Sequence, residues 1–217
     1  MKYYSLNNQA PDSSFENAVR KGLAPDRGLF FPEYITPLNE EFFEKIDELS
    51  NSEIAFEAIQ QFVGDEIPNN ELKQIVEDTL NFDFPIVDIE EGISTLELFH
   101  GPTMAFKDVG ARFMARCLGY FKKDNDSEVT VLVATSGDTG GAVASGFLGV
   151  KGVRVVILYP SGKVSDVQEK QLTTLGQNIT ALEVDGTFDD CQDMVKKAFL
   201  DVDLTSQLEL TSANSIN

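Results

Sequence analysis

Lys107 sits where an amine could act as a nucleophile. It closes the run Phe99-His100-Gly101-Pro102-Thr103-Met104-Ala105-Phe106 and opens a helical pattern through Phe113, Met114, Cys117 and Leu118. A positive charge at a helix start opposes the dipole, and burial against Phe106 adds to the cost of the charged form. Both effects favour the neutral amine that attacks carbonyls. The competing reading is a solvated surface lysine. His100, the single histidine, makes neither a metal site nor a triad by itself and is expected to be a structural hydrogen-bonder.

A second segment could bind an anion. Thr135-Ser136-Gly137-Asp138-Thr139-Gly140-Gly141 follows a β-branched run and leads into a helix. Its glycines allow tight turning, and the helix start presents amide N–H groups and a partial positive charge. The hydroxyls of Thr135, Ser136 and Thr139 add donors. Ordinary capping of the helix by Ser136 or Asp138 explains the same residues equally well. The spacing is neither G-x-G-x-x-G nor a Walker A loop, which turns the reading away from dinucleotides and triphosphates. A third polar cluster, Thr211-Ser212-Ala213-Asn214-Ser215-Ile216-Asn217, follows a weak strand signal. It reads as a ligand loop at a sheet edge or as a frayed terminus.

The elements that would position these residues change character near residues 82–98. Before that point the chain reads as helical. Ser13 and Glu16 have capping-box spacing, Phe15, Ala18 and Val19 form a stripe, and Gly22 is a stop. Leu23 to Pro32 reads as a turn-rich loop. Asn39 can cap a helix carrying Phe42, Phe43, Ile46 and Leu49. Further helices are expected from about Glu53 to Val63 and after Pro68-Asn69, the latter with Leu72, Ile75, Val76 and Leu80 on one face. A strand is expected over Thr95–Phe99. Beyond it, strand signals at Val129–Ala134, Val153–Tyr159, Ile179–Val184 and Leu208–Thr211 alternate with helical stretches at about 139–149, 165–175 and 188–200. This pattern predicts an α/β fold, a helical N-terminal region followed by a mostly parallel βαβ sheet. Ligands would then bind beyond the strands' C-terminal ends. Three regions follow: 1–84, mainly helical; 85–127, strands and the Lys107 helix; and 128–217, a small parallel α/β domain.

Composition narrows the function classes. The chain has 217 residues with a formal net charge of -19. That charge repels phosphate backbones and anionic lipid, so neither nucleic acid nor membrane is expected as a partner, and an anionic ligand needs a local device. Cys117 and Cys191 are far apart and form no C-x-x-C pair, which argues against zinc and disulfides and fits a reducing cytoplasm. No metal site is expected. The N-terminus lacks a signal-peptide pattern, and no stretch reaches the ~20 apolar residues of a membrane span.

Taken together, these segments resemble the threonine synthase family, members of the fold type II (β-family) enzymes that use pyridoxal 5′-phosphate (PLP). Gly22-Leu23-Ala24-Pro25-Asp26-Arg27-Gly28-Leu29-Phe30-Phe31-Pro32 is similar to the family's N-terminal stretch, with Arg27 where the family usually has glycine. His100-Gly101-Pro102-Thr103 with Phe106-Lys107-Asp108 is similar to the family's lysine motif. Thr135 to Gly140 is similar to its cofactor-facing and substrate-facing loop, with Asp138 where many relatives have asparagine. Ser212 to Asn217 is similar to the start of its substrate-phosphate motif.

The resemblance implies roles. Lys107 would carry PLP and move protons at the substrate's α and β carbons, with Phe106 and Asp138 beside the cofactor. Thr135, Ser136, Gly137, Thr139 and Gly140 would bind the substrate carboxylate, and Asn214 and Ser215 its phosphate. The implied reaction converts O-phospho-L-homoserine and water to L-threonine and phosphate. Family members are longer and carry their cofactor-phosphate loop in the further part. The expectation is therefore an incomplete fold type II enzyme: a fragment, inactive alone and weak or null for PLP. Alternatives are a serine/threonine dehydratase or β-replacement enzyme of the same fold, a non-catalytic α/β ligand-binding module, or a structural remnant.

Overall fold

The structure is a computed structural model that describes residues 1–122 and 128–213. It divides into two compact units, Met1–Asn81 and a second that begins at Phe82.

The first unit pairs two short antiparallel strands, β1 (Tyr3–Ser5) and β2 (Phe30–Pro32). Helices α1 (Phe15–Lys21), α2 (Glu40–Glu44), α3 (Asn51–Val63) and α4 (Asn69–Thr79) supply the rest. The expected loop from Leu23 to Pro32 thus ends in a strand, because Phe30–Pro32 finds a partner near the N-terminus.

The cap of α1 differs from the Ser13–Glu16 expectation. Ser14 is the N-cap, accepting from Asn17 N. Ser13 is held one residue outside, exchanging backbone bonds of 2.9 and 2.8 Å with Tyr3. Glu16 turns forward to Arg20 at 2.8 Å. The carboxylate that serves the first turn comes from Glu66, which accepts from Phe15 N at 2.8 Å and Glu16 N at 2.9 Å. Helix α3 does have a full capping box, Ser50 with Glu53, a device that contributes about 1 kcal/mol. Tyr3 donates to Phe62 O at 2.6 Å. Burial, with Glu66 nearby, pushes its hydroxyl up to about 12.

Asp26 is the hub of this unit's loops. Its carboxylate accepts from Ser5 Oγ at 2.6 Å, Gly28 N at 2.9 Å and Gln9 N at 2.9 Å. Side-chain donation from Ser5, then the Gly28 and Gln9 amides, hold this carboxyl below its usual range. A Cβ on Gly28 would overlap Ser5 Oγ and lie 2.9 Å from Asn7 N. Arg27, between them, has φ 66, a left-handed conformation that glycine adopts more cheaply.

The second unit opens with a hairpin, β3 (Ile86–Glu90) and β4 (Ile93–Leu96). Strand β4 ends before the expected Phe99. Past it, Phe99 stacks on His100 at 4.9 Å, and His100 Nε2 meets Glu97 Oε2 at 2.7 Å, turning the chain away. Helix α5 (Lys107–Phe121) follows. Then come β5 (Val129–Ala134), α6 (Asp138–Phe147), β6 (Val153–Pro160), α7 (Asp166–Thr173) and β7 (Ile179–Val184). Helices α8 (Phe188–Leu200) and α9 (Val202–Gln207) and strand β8 (Glu209–Thr211) end the described chain.

The four long-range strands form a parallel sheet in the order β7-β6-β5-β8. β5 is buried along its whole length. Its Leu132 and Ala134 pack with Leu158 against Cys191 and Val195 of α8, so Val131 and Val133 point to the opposite face. The chain winds outward from β5 through β6 to β7, then returns to β5's other side as β8. That reversal makes a topological switch point between β5 and β8, where open α/β sheets bind ligands. Among the described residues, no helix is long and apolar enough to cross a membrane.

Candidate functional site

Contacts along α5 and α6 fix which sheet edge carries their first residues. Lys122, just past α5, has its Cβ 3.4 Å from where a Cβ on Gly152 would lie, immediately before β6. Its side chain is fully buried and pairs with Glu209, the first residue of β8, at 2.8 Å. The end of α5 therefore lies at the sheet's N-terminal edge. Gly146, late in α6, would meet Ala111 C at 3.1 Å, and Gly119 would meet Val150 Cγ1 at 3.2 Å. Both helices thus run opposite to the strands, and Lys107 and Asp138 both lie at the C-terminal edge.

Lys107 is the first residue of α5 and is half-buried. Its Nζ lies 4.4 Å from the centroid of the Phe106 ring, whose face attracts an ammonium. Phe106 is 61% exposed, so it lies over the lysine without enclosing it. Among the described residues, Lys107 makes no ion pair, which leaves the amine available to a ligand.

The loop ahead of Lys107 is braced by Asp108. This buried carboxylate accepts from Thr103 Oγ1 at 2.6 Å and from Thr103 N at 2.9 Å. A Cβ on Gly101 would lie 2.5 Å from Asp108 Oδ2 and 3.0 Å from Phe82 Cζ, so the chain closes only around glycine. Turns from Met104 N to Gly101 O and from Asp108 N to Ala105 O, 3.1 and 3.0 Å, complete the bracket. The sequence motif contains Asp108 but gives no hint that it points backward into the loop.

In the 135–141 loop the residues divide into two groups. Thr135 is buried and engaged within the loop: its Oγ1 accepts from Gly137 N at 3.0 Å and Gly140 N at 2.8 Å and donates to Gly137 O at 3.1 Å. Ser136 and Asp138 are exposed and Thr139 is half-buried. Among the described residues, the amides of Ser136, Asp138 and Thr139 have no partner. These open N–H groups at the start of a ten-residue helix are donors whose chemistry suits an anion. Gly137 has φ 143, a conformation reserved for glycine. A Cβ on Gly140 would lie 2.5 Å from Thr135 Cγ2.

Asp138 contributes no cap to its own helix. Its Oδ1 instead accepts from Gln168 Nε2 of α7 at 2.7 Å. Gln168 also covers Gly137 so closely that a Cβ there would overlap its amide. Ser165 and Gln168 show capping-box spacing in the sequence, whereas the reach to Asp138 is visible only in the fold. At the switch point, Thr211 pairs with Val131 while β5 runs on to Ala134. Asn214 and Ser215 lie outside the described residues.

Residues 2–80 match the family described as Threonine synthase N terminus, and residues 94–211 match the Pyridoxal-phosphate dependent enzyme family. A curated threonine synthase from Buchnera aphidicola subsp. Baizongia pistaciae is 46% identical over 218 residues, covering 100% of this chain and 51% of the relative. The crystal structure of threonine synthase from Escherichia coli superposes with a TM-score of 0.91 at 46% identity, over 100% of this chain and 50% of that one. The PLP-bound threonine synthase from Brucella melitensis gives 0.92 at 38% identity, over 100% and 48%. The chain spans about half the length of the curated relatives it matches.

Proposed function

The chain belongs to the pyridoxal-phosphate dependent enzyme family, with a threonine synthase N terminus ahead of it, and from that premise we propose that it serves threonine synthase chemistry. The reaction takes O-phospho-L-homoserine and water to L-threonine and phosphate. The observation that carries this reading is the shared sheet edge: an amine without an ion-pair partner at the start of α5 and open amides at the start of α6. These residues suit a cofactor that bears a carbonyl and a substrate that bears a carboxylate.

When bound, PLP draws electron density from the bonds at the substrate's α carbon. Lys107 would hold the cofactor at its carbonyl carbon, with Phe106 beside it. As a free amine, Lys107 would take the proton from the substrate's Cα and move protons at Cβ, as a general base and acid must. The amides of Ser136, Asp138 and Thr139, with the hydroxyls of Ser136 and Thr139, orient the substrate carboxylate. Thr135, Gly137 and Gly140 act by shaping that cradle, since the Thr135 hydroxyl is engaged inside the loop. Asp138 would sit beside the cofactor, and Asn214 and Ser215 would hold the phosphate that leaves from Cγ, where a proton must take its place before water adds at Cβ. The two free, buried cysteines support a reducing cytoplasm as the working compartment.

Turnover tests the reading: a preparation containing this chain and saturated with PLP is expected to release phosphate and threonine from O-phospho-L-homoserine. Release of an oxo acid from serine with no turnover of phosphohomoserine would favour a dehydratase instead. By itself, the 217-residue chain is expected to bind PLP weakly. A strong visible absorbance band at equimolar PLP would contradict that expectation.

A further inference from the structure

We propose that Gln168 is a positioning residue that keeps the anion cradle open by holding the Asp138 carboxylate away from the start of α6. The proposal rests on the reading of the 135–141 loop as the substrate-carboxylate cradle.

Asp138 is the first residue of α6, whose N-cap is Gly137 and has no side-chain cap. An acidic side chain in that position is drawn to the unpaired amides and positive end of its own helix. If the carboxylate folded onto them, it would occupy the groups that a substrate carboxylate needs, and its charge would repel that substrate. In the structure it does not fold back. Its Oδ1 accepts from Gln168 Nε2 at 2.7 Å, and the amides of Ser136, Asp138 and Thr139 stay open.

The Gln168 side chain has one orientation available to it. Its Oε1 is fixed by the α7 capping box, accepting from Ser165 N at 3.1 Å and Ser165 Oγ at 3.0 Å. Nε2 must then face outward, and what lies there is Asp138. The cap of one helix thereby sets the direction of a donor toward the first turn of another. A glutamate at 168 would keep the box, since glutamate and glutamine serve it alike, but would present an acceptor to a carboxylate.

That difference gives the test. Amide hydrogen exchange at Ser136, Asp138 and Thr139 is measured by NMR in the full chain without ligand, for the parent, Q168E, D138N and D138N/Q168E. In Q168E the repelled carboxylate is expected to turn onto the helix start and slow exchange at Asp138 and Thr139 by about tenfold. D138N/Q168E restores a donor–acceptor pair with the roles exchanged and is expected to return exchange to the parent rate, a rescue that loss of α7 structure would not permit. Unchanged exchange in Q168E, or slowing that persists in the double variant, overturns the proposal. The assay needs neither cofactor nor turnover. A protein that shows this exchange pattern but fails to turn over phosphohomoserine would refute the proposed reaction and leave the clamp standing.

Discussion

Two loops in this molecule combine an aspartate with glycine and reach opposite outcomes. At Asp26 the carboxylate turns inward and takes Ser5 Oγ and the amides of Gly28 and Gln9. The loop is closed, its donors are satisfied by its own chain, and it fastens the first unit. At Asp138 the carboxylate is drawn to Gln168 and the amides of Ser136, Asp138 and Thr139 are left open. Composition does not separate these loops. The difference lies in which donor reaches the carboxylate first: a nearby serine in one case, a glutamine from another helix in the other. An aspartate–glycine loop becomes a brace or a cradle according to where its acid is pulled.

The comparison can be broken most severely at Gly28. G28A inserts a Cβ into Ser5 Oγ and against Asn7 N, and overpacking of this kind is expected to cost about 3 kcal/mol, read as a lower urea midpoint. At Gly137 an added Cβ meets both a backbone at φ 143 and the Gln168 amide. G137A is expected to cost about 2 kcal/mol and to disturb exchange at the cradle amides while leaving Gln9 and Gly28 unaffected. Exchange changes at both loops would argue against their independence.

A smaller effect sharpens the brace in the other direction. Arg27 holds φ 66, so R27G is expected to relieve left-handed strain and raise stability by about 1 kcal/mol; a loss would mean the arginine side chain has a role of its own. The smallest effect is in pH. The Asp26 carboxyl is held below its usual range by Ser5, then by the Gly28 and Gln9 amides. A depressed acid contributes stability above its unfolded value, near ~3.9, and loses it as pH falls through the folded value. The stability difference between parent and D26N is therefore expected to be full at neutral pH and to shrink below about pH 4. A constant difference would show that charge plays no part in the brace.

What the sequence reveals follows the range of the interactions. Strands β5 and β7 and helices α3, α4 and α8 are legible because apolar spacing specifies them locally, with adjacent caps at α3 and α8. The cap of α1 is not, because Tyr3 claims Ser13 and Glu66 supplies the carboxylate from 51 residues away. Strand β2 is hidden among prolines and glycines until β1 is placed beside it. In the site, Lys107 is legible as an amine at a helix start, and the glycine loop as a cradle or a cap. Neither Ser136 nor Asp138 supplies the cap that the sequence suggests; the Thr135 hydroxyl takes the amides of Gly137 and Gly140 from inside the loop instead. Gln168 is illegible, since its bond to Asp138 spans 30 residues and two helices.

The account turns on Lys107 as the amine that meets the cofactor. Incubation of the chain with excess PLP, borohydride reduction and peptide mapping tests this directly, because reduction traps even a weak adduct. The prediction is a pyridoxyl group predominantly on Lys107, lost in K107A without transfer to another lysine. Label spread evenly over surface lysines such as Lys2 and Lys151, with Lys107 no richer than they are, would contradict it.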